Sequence, residues 1–140
     1  MKQFIVMRGL PGSGKSTKAK RLREETLSAG KTAVIHSADD FFTNENGEYN
    51  YDIKAIPHAH ADCFQQTVKS FIEDFDVVIL DNTNVKKWHF EHYVATAKAF
   101  DYQVLYCEMP HLDTDELVER NIHGVPSEAI NWMRENWEEA

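Results

Sequence analysis

At 140 residues, 42% hydrophobic and 27% charged, the chain has the size and balance of one globular domain around one core, spanning residues 1–140. No apolar run approaches the ~20 residues of a membrane span, and Phe4–Met7 is too short for a signal peptide, so a soluble, cytoplasmic protein with no membrane partner is expected. A formal net charge of -8 argues against non-specific binding of long nucleic acid, and Cys63 and Cys107, which lack C-x-x-C spacing, are expected to be buried thiols rather than a disulfide or zinc ligands.

Gln3 to Arg8 is a short, mostly apolar run ending at Gly9, the pattern of a buried strand feeding a tight loop. From Ser16 to about Ala29, Ala19, Leu22, Thr26 and Ala29 recur at helical spacing, and Gly30 stands where a left-handed terminus needs no side chain. Thr32 to His36 reads as a second strand ending before Asp39 and Asp40. Asn46-Gly47, inside Thr43–Asp52, signals a tight turn and a surface excursion with hairpin character. A helix is expected from about Pro57 to Glu73, with Ala61, Phe64, Val68, Phe71 and Ile72 on its apolar face. Val77 to Leu80 closes on Asp81 as a strand covered on both faces does.

Trp88 to Phe100 is amphipathic through Phe90, Val94 and Ala97, and Gln103 to Cys107 gives a fourth strand. Asp113 and Glu116 have capping-box spacing and open a short charged helix to about Asn121. After Gly124 and Pro126 a last helix is expected to run to the C-terminus with Ile130, Met133 and Trp137 on its buried side. Alternation of strand and helix implies a three-layer α/β domain with a parallel sheet.

Gly9-Leu10-Pro11-Gly12-Ser13-Gly14-Lys15-Ser16-Thr17 matches G-x-x-x-x-G-K-[ST] between a strand and a helix. The glycines allow backbone N–H groups to converge on phosphate oxygens, and the helix N-terminus adds partial positive charge. Lys15 reaches the β- and γ-phosphates of ATP, Ser16 offers its hydroxyl to Mg2+, and Thr17 lies over the α-phosphate. Residues 1–31 hold eight Lys and Arg against two acids, so positive potential is expected near this loop, with Arg8 among its sources.

Ligands of an open parallel sheet sit beyond the C-terminal strand ends. Asp39 or Asp40 there can accept the proton of an attacking hydroxyl, while Asp81 closes its strand like a Walker B acid, from which it can hold Mg2+ or orient Ser16. Asp81-Asn82-Thr83-Asn84 lacks the glycine of GTP-binding switches, and no N-K-x-D guanine motif occurs. Arg120, in a charged segment before His123-Gly124, is the candidate cation for the charge developing on the transferred phosphoryl group; residues 111–126 have the composition of a lid. His58, His60, His89 and His92 form no complete metal-ligand set.

On these residues the chain resembles the polynucleotide-kinase-like P-loop kinases over nearly its whole length. The likeness rests on Gly9–Thr17, the Asp39-Asp40 pair, Asp81–Asn84, and Arg120-Asn121 beside Gly124-Val125-Pro126. It implies an adenylate-kinase-like fold with strand order 2-3-1-4, ATP- and Mg2+-dependent transfer to a hydroxyl, Asp39 as general base and Arg120 as a lid arginine. Two departures stand out: Phe42 occupies the place of an arginine that grips a nucleic-acid end, and His123 or a neighbour that of a second lid arginine. The acceptor that the resemblance implies is the 5′-hydroxyl of a short nucleic-acid end, whereas the two departures and the acidic composition favour the alternative, a nucleoside or sugar; a nucleotide-binding interaction module is the reading from another class.

Overall fold

A computed structural model describes residues 1–140. Four strands, β1 (Gln3–Arg8), β2 (Ala33–His36), β3 (Val77–Asp81) and β4 (Gln103–Glu108), form one sheet in the order β2-β3-β1-β4 with every pairing parallel. The P-loop strand and the strand ending in Asp81 are therefore neighbours, with Met7 in register with Asp81. That is the strand order the resemblance implies.

The period-two alternation of the strands sorts the core into layers. Phe4, Val6, Val78 and Leu80 face helices α2 (Ile56–Ile72) and α3 (Glu91–Ala99), packing with Cys63, Phe71, Tyr93 and Ala97. Ile5, Met7 and Ile79 face Ala19 and Leu22 of α1 (Lys15–Ser28). Phe4 meets Phe71 edge-on at 5.2 Å, both fully buried, and each such side chain contributes about 1.5–3 kcal/mol of burial. A third cluster joins Leu10 of the P-loop to Leu117 of α4 (Thr114–Arg120) and Ile130 of α5 (Ser127–Glu135). The base of segment 111–126 is thereby fastened to the loop that it overhangs. No helix is long and apolar enough to cross a membrane.

Several elements differ from the sequence reading for identifiable reasons. The buried face of α2 is Ala59, Cys63, Thr67, Ser70 and Phe71, whereas Ala61 and Ile72 are exposed. Hydropathy misjudges this face because Thr67 Oγ1 donates to the Cys63 carbonyl at 2.8 Å and Ser70 Oγ to the Gln66 carbonyl at 3.3 Å, which lets hydroxyls be buried inside a helix. Ala29 is exposed and α1 ends one residue before it. Asp113 precedes α4 but makes no side-chain cap, and α5 stops at Glu135 because the chain then turns back to bond Glu138 N–H to the Val85 carbonyl at 3.0 Å. A 3-10 turn over Lys87–His89 precedes α3, so the amphipathic stretch is not one helix from Trp88. Cys63 is buried and Cys107 only half-buried.

Arg8 is the largest correction. It adds nothing to a phosphate-facing potential, because its side chain is fully buried beneath the sheet end. Nη1 donates to Glu108 at 2.6 Å, Nε to the Asn84 carbonyl at 2.9 Å, and Nη2 to the carbonyls of Val85 and Glu138. Its guanidinium lies between the rings of Phe90 and Trp137, 4.9 and 4.4 Å from their centroids.

Candidate active site

The chain leaves β1 through Leu10 and enters α1 at Lys15. Gly12 (φ 84°) and Gly14 (φ 89°) take the left-handed conformation that side chains disfavour. A Cβ on Gly12 would also collide with the Leu117 carbonyl, so this glycine lets α4 approach the loop. Gly14 is the N-cap of α1 and no side chain caps the helix, which leaves first-turn N–H groups open to an anion. Ser13 Oγ is buried without a partner. An uncapped helix end, an unpaired buried hydroxyl and Lys15 together fit a nucleotide phosphate chain.

Lys15 Nζ lies 3.0 Å from Asp81 Oδ1, with the two side chains 13% and 7% exposed. The Walker-type acid thus bonds the P-loop lysine, while Ser16 and Thr17 are exposed at the cleft. Hydroxyl and carboxylate oxygens from Ser16 and Asp81 are hard donors of the kind Mg2+ takes, so the donor set fits that ion.

Asp39 reaches the same cleft from the turn after β2. Ser37 Oγ accepts the Asp39 N–H at 3.2 Å and starts a 3-10 turn over Ala38–Phe42, while Asn82 Oδ1 accepts the Ala38 N–H at 2.9 Å. This second bond ties the turn to the loop after β3. The half-exposed Asp39 carboxylate receives the Tyr49 hydroxyl at 3.3 Å on Oδ1 and has His123 Nε2 3.6 Å from Oδ2. Burial, with the adjacent Asp39 charge, pushes the Tyr49 hydroxyl up to about 12, so it remains a donor at neutral pH. Asp40 does not line the cleft; desolvation, then the charges of Asp39 and Asp81, raises its carboxyl above the ordinary range.

Arg120 comes from the end of α4. It pairs with Glu116 at 3.5 Å, and its Nη2 lies 3.7 Å from where a Cβ on Gly14 would stand. The loop beyond it is folded by Asn121, whose Oδ1 accepts the N–H groups of His123 and Val125 and whose Nδ2 donates to the Val125 carbonyl at 3.1 Å. The His123 ring packs against Tyr49 at 4.4 Å with the planes tilted by 39°, in an aromatic group with Tyr51 and the buried Phe42.

Pro11, Gly12, Ser13, Gly14, Lys15, Ser16, Thr17, Asp39, Asp81 and Arg120 thus line one cleft of about 570 Å3. Gly9 stands apart, its N–H bonding to the Thr83 carbonyl at 3.2 Å, and a Cβ on it would stand only 2.6 Å from Ser13 Oγ. Sequence reasoning missed Asn82 as the brace of the Asp39 turn and His60 as a cleft residue. No local pattern identifies either, since each acts across the sheet. The contact of Tyr49 and His123 with Asp39 was likewise invisible, although both residues lie in stretches the sequence singles out.

Residues 4–140 match the family model described as an AAA domain. NEDD4-binding protein 2 of Homo sapiens is 38% identical over 138 residues, covering 96% of this chain but 8% of that protein. The chain therefore spans under a tenth of that relative's length. A chain of the Pnkp1/Rnl/Hen1 RNA repair complex shares the fold at a TM-score of 0.69 and 18% identity, over 98% of this chain and 46% of that one. Kti12 of Chaetomium thermophilum, in complex with ADP-AlF3, does so at 0.69 and 20%, over 97% and 80%.

Proposed function

We propose that this chain, which belongs to the AAA domain family matched over residues 4–140, is an ATP-dependent phosphotransferase that moves the γ-phosphate of ATP to the 5′-hydroxyl of a nucleic-acid end. The observation that carries this reading is the Asp39 carboxylate lining one cleft with the P-loop residues Lys15 and Ser16. A nucleotide-binding module without turnover has no need of an exposed acid there. The fold shared with a chain of an RNA repair complex agrees with a nucleic-acid acceptor.

Lys15 and the open N–H groups of α1 hold the phosphate chain, and Lys15 exchanges Asp81 for phosphate oxygens as nucleotide enters. Ser16 and Asp81 would hold Mg2+, which would supply charge neutralisation when bound. Asp39 accepts the proton of the attacking hydroxyl as the new O–P bond forms and the bond from the γ-phosphorus to the bridging oxygen breaks. Arg120 offsets the charge developing on the phosphoryl oxygens. Residues 1–140 act as one domain, with 111–126 as the lid.

Phe42 favours a second reading, a nucleoside or sugar acceptor, because a buried aromatic ring stands where an end-gripping cation would be. One experiment separates the readings: transfer of labelled γ-phosphate from ATP with Mg2+ to a 5′-hydroxyl oligonucleotide and, in parallel, to nucleosides. Label is expected on the oligonucleotide, and Asp39→Ala should lower kcat by about 10²–10⁴-fold while retaining ATP binding. Label on nucleosides alone selects the second reading. ATP binding with no transfer to any acceptor overturns both.

A further inference from the structure

A second cavity of about 350 Å3 opens beside the active-site cleft, walled chiefly by His60, Trp88, His89 and His92. Ile56 and His60 line both spaces, so the cavity abuts the active-site cleft. Trp88 is 68% exposed, and its ring contacts His89 edge-on at 4.2 Å, which leaves indole surface open to solvent. His89 Nδ1 accepts the Lys86 N–H at 3.1 Å, which puts the proton of the neutral ring on Nε2. Burial first, among the causes, lowers the pKa of His60, His89 and His92. These imidazoles are therefore neutral hydrogen-bonding groups at pH 7, and the cavity offers an aromatic plane beside polar edges rather than a cationic anion trap. Lys86 and Lys87, which directly precede Trp88, are positive charges beside it in sequence.

A flat ligand with an apolar face and hydrogen-bonding edges suits such a wall, and the shared Ile56 and His60 set that wall next to the Asp39 cleft. We propose that this cavity seats the second nucleobase of a single-stranded acceptor: with the 5′-terminal nucleoside at Asp39, the next base stacks on Trp88 and turns its edge to the imidazoles. The inference rests on the phosphotransferase reading above and adds to it a preference for acceptors of two or more nucleotides. One base–aromatic stack corresponds to about a 5- to 100-fold effect on acceptor use.

The test compares kcat/KM for two 5′-hydroxyl dinucleotides, one intact and one abasic at its second position, with wild-type protein, Trp88→Ala and Trp88→Phe. Wild-type protein should prefer the intact acceptor by about 5- to 100-fold. Trp88→Ala should abolish that preference and Trp88→Phe should keep most of it. The exposure of Trp88 means neither variant should disturb folding, which circular dichroism and ATP binding check. A wild-type protein indifferent to the second base, or a preference that survives in Trp88→Ala, overturns the subsite and leaves the phosphotransferase reading intact. Failure of wild-type protein to label either dinucleotide, or any longer oligonucleotide, removes the nucleic-acid reading and the subsite with it.

Discussion

Replacing Arg8 by alanine tests the most consequential difference between what the sequence implies and what the fold does with it. The guanidinium is fully buried, bonded to Glu108 and to the carbonyls of Asn84, Val85 and Glu138, and held between Phe90 and Trp137. Alanine strands three carbonyls and opens a cavity between two aromatic rings. Removing one partner of a buried charged network costs about 3–5 kcal/mol, of which the buried Asn84 and Val85 carbonyls account for about 1 kcal/mol or more each. Against a typical total of about 5–15 kcal/mol, Arg8→Ala should leave a marginally stable protein. Urea unfolding should show a lowered midpoint with an unchanged slope, and thermal unfolding a drop on the order of 10–20 °C. Arg8→Lys should recover little, because one ammonium cannot reproduce a planar fork bonded on several sides. Wild-type stability with weakened ATP binding would refute this reasoning and return Arg8 to the phosphate-facing charge.

Gly12→Ala places a Cβ at φ 84° against the Leu117 carbonyl, so ATP affinity should fall at least about tenfold, equivalent to 1.4 kcal/mol of the strain such positions carry; Gly47→Ala, at φ 79° with nothing within 4 Å, should leave it unchanged, and calorimetric titration compares them. Stability should fall with acidification: burial foremost lowers the pKa of His36, His60, His89, His92 and His111 from 6.5 in the folded state. Groups that prefer to be neutral when folded contribute fully above about 6.5 and lose that contribution as pH falls through their folded values. Unfolding midpoints at pH 7.5 and 5.0 check this, and His36→Gln should reduce the difference.

The P-loop is legible in the sequence because its function is a property of nine consecutive residues. Gly12 and Gly14 are required by local backbone geometry, and the position of Lys15 follows from the helix it opens. The strands are legible for a related reason, since Val77–Leu80 and Gln3–Arg8 are short apolar runs ending at turns. Their order, 2-3-1-4, came from family resemblance, as no strand states its neighbour. Thr67 and Ser70 show where pattern fails, because a hydroxyl that bonds its own helix is apolar in effect and polar by name.

Tertiary structure decided which of these charged side chains line the cleft and which are buried in the fold. Asp39 and Asp40 are adjacent, yet a single turn braced by Ser37 and Asn82 sends one into the cleft and leaves the other outside it. Arg8 and Lys15 are both basic residues beside one loop, and the sequence assigns a phosphate-binding role to Lys15 by its motif but leaves Arg8 as general positive charge. The first is buried under a C-terminal segment 130 residues away and the second points at Asp81. Sequence fixes the chemistry available along a local stretch of backbone; long-range packing sets burial and pairing, and these determine what each charge can do.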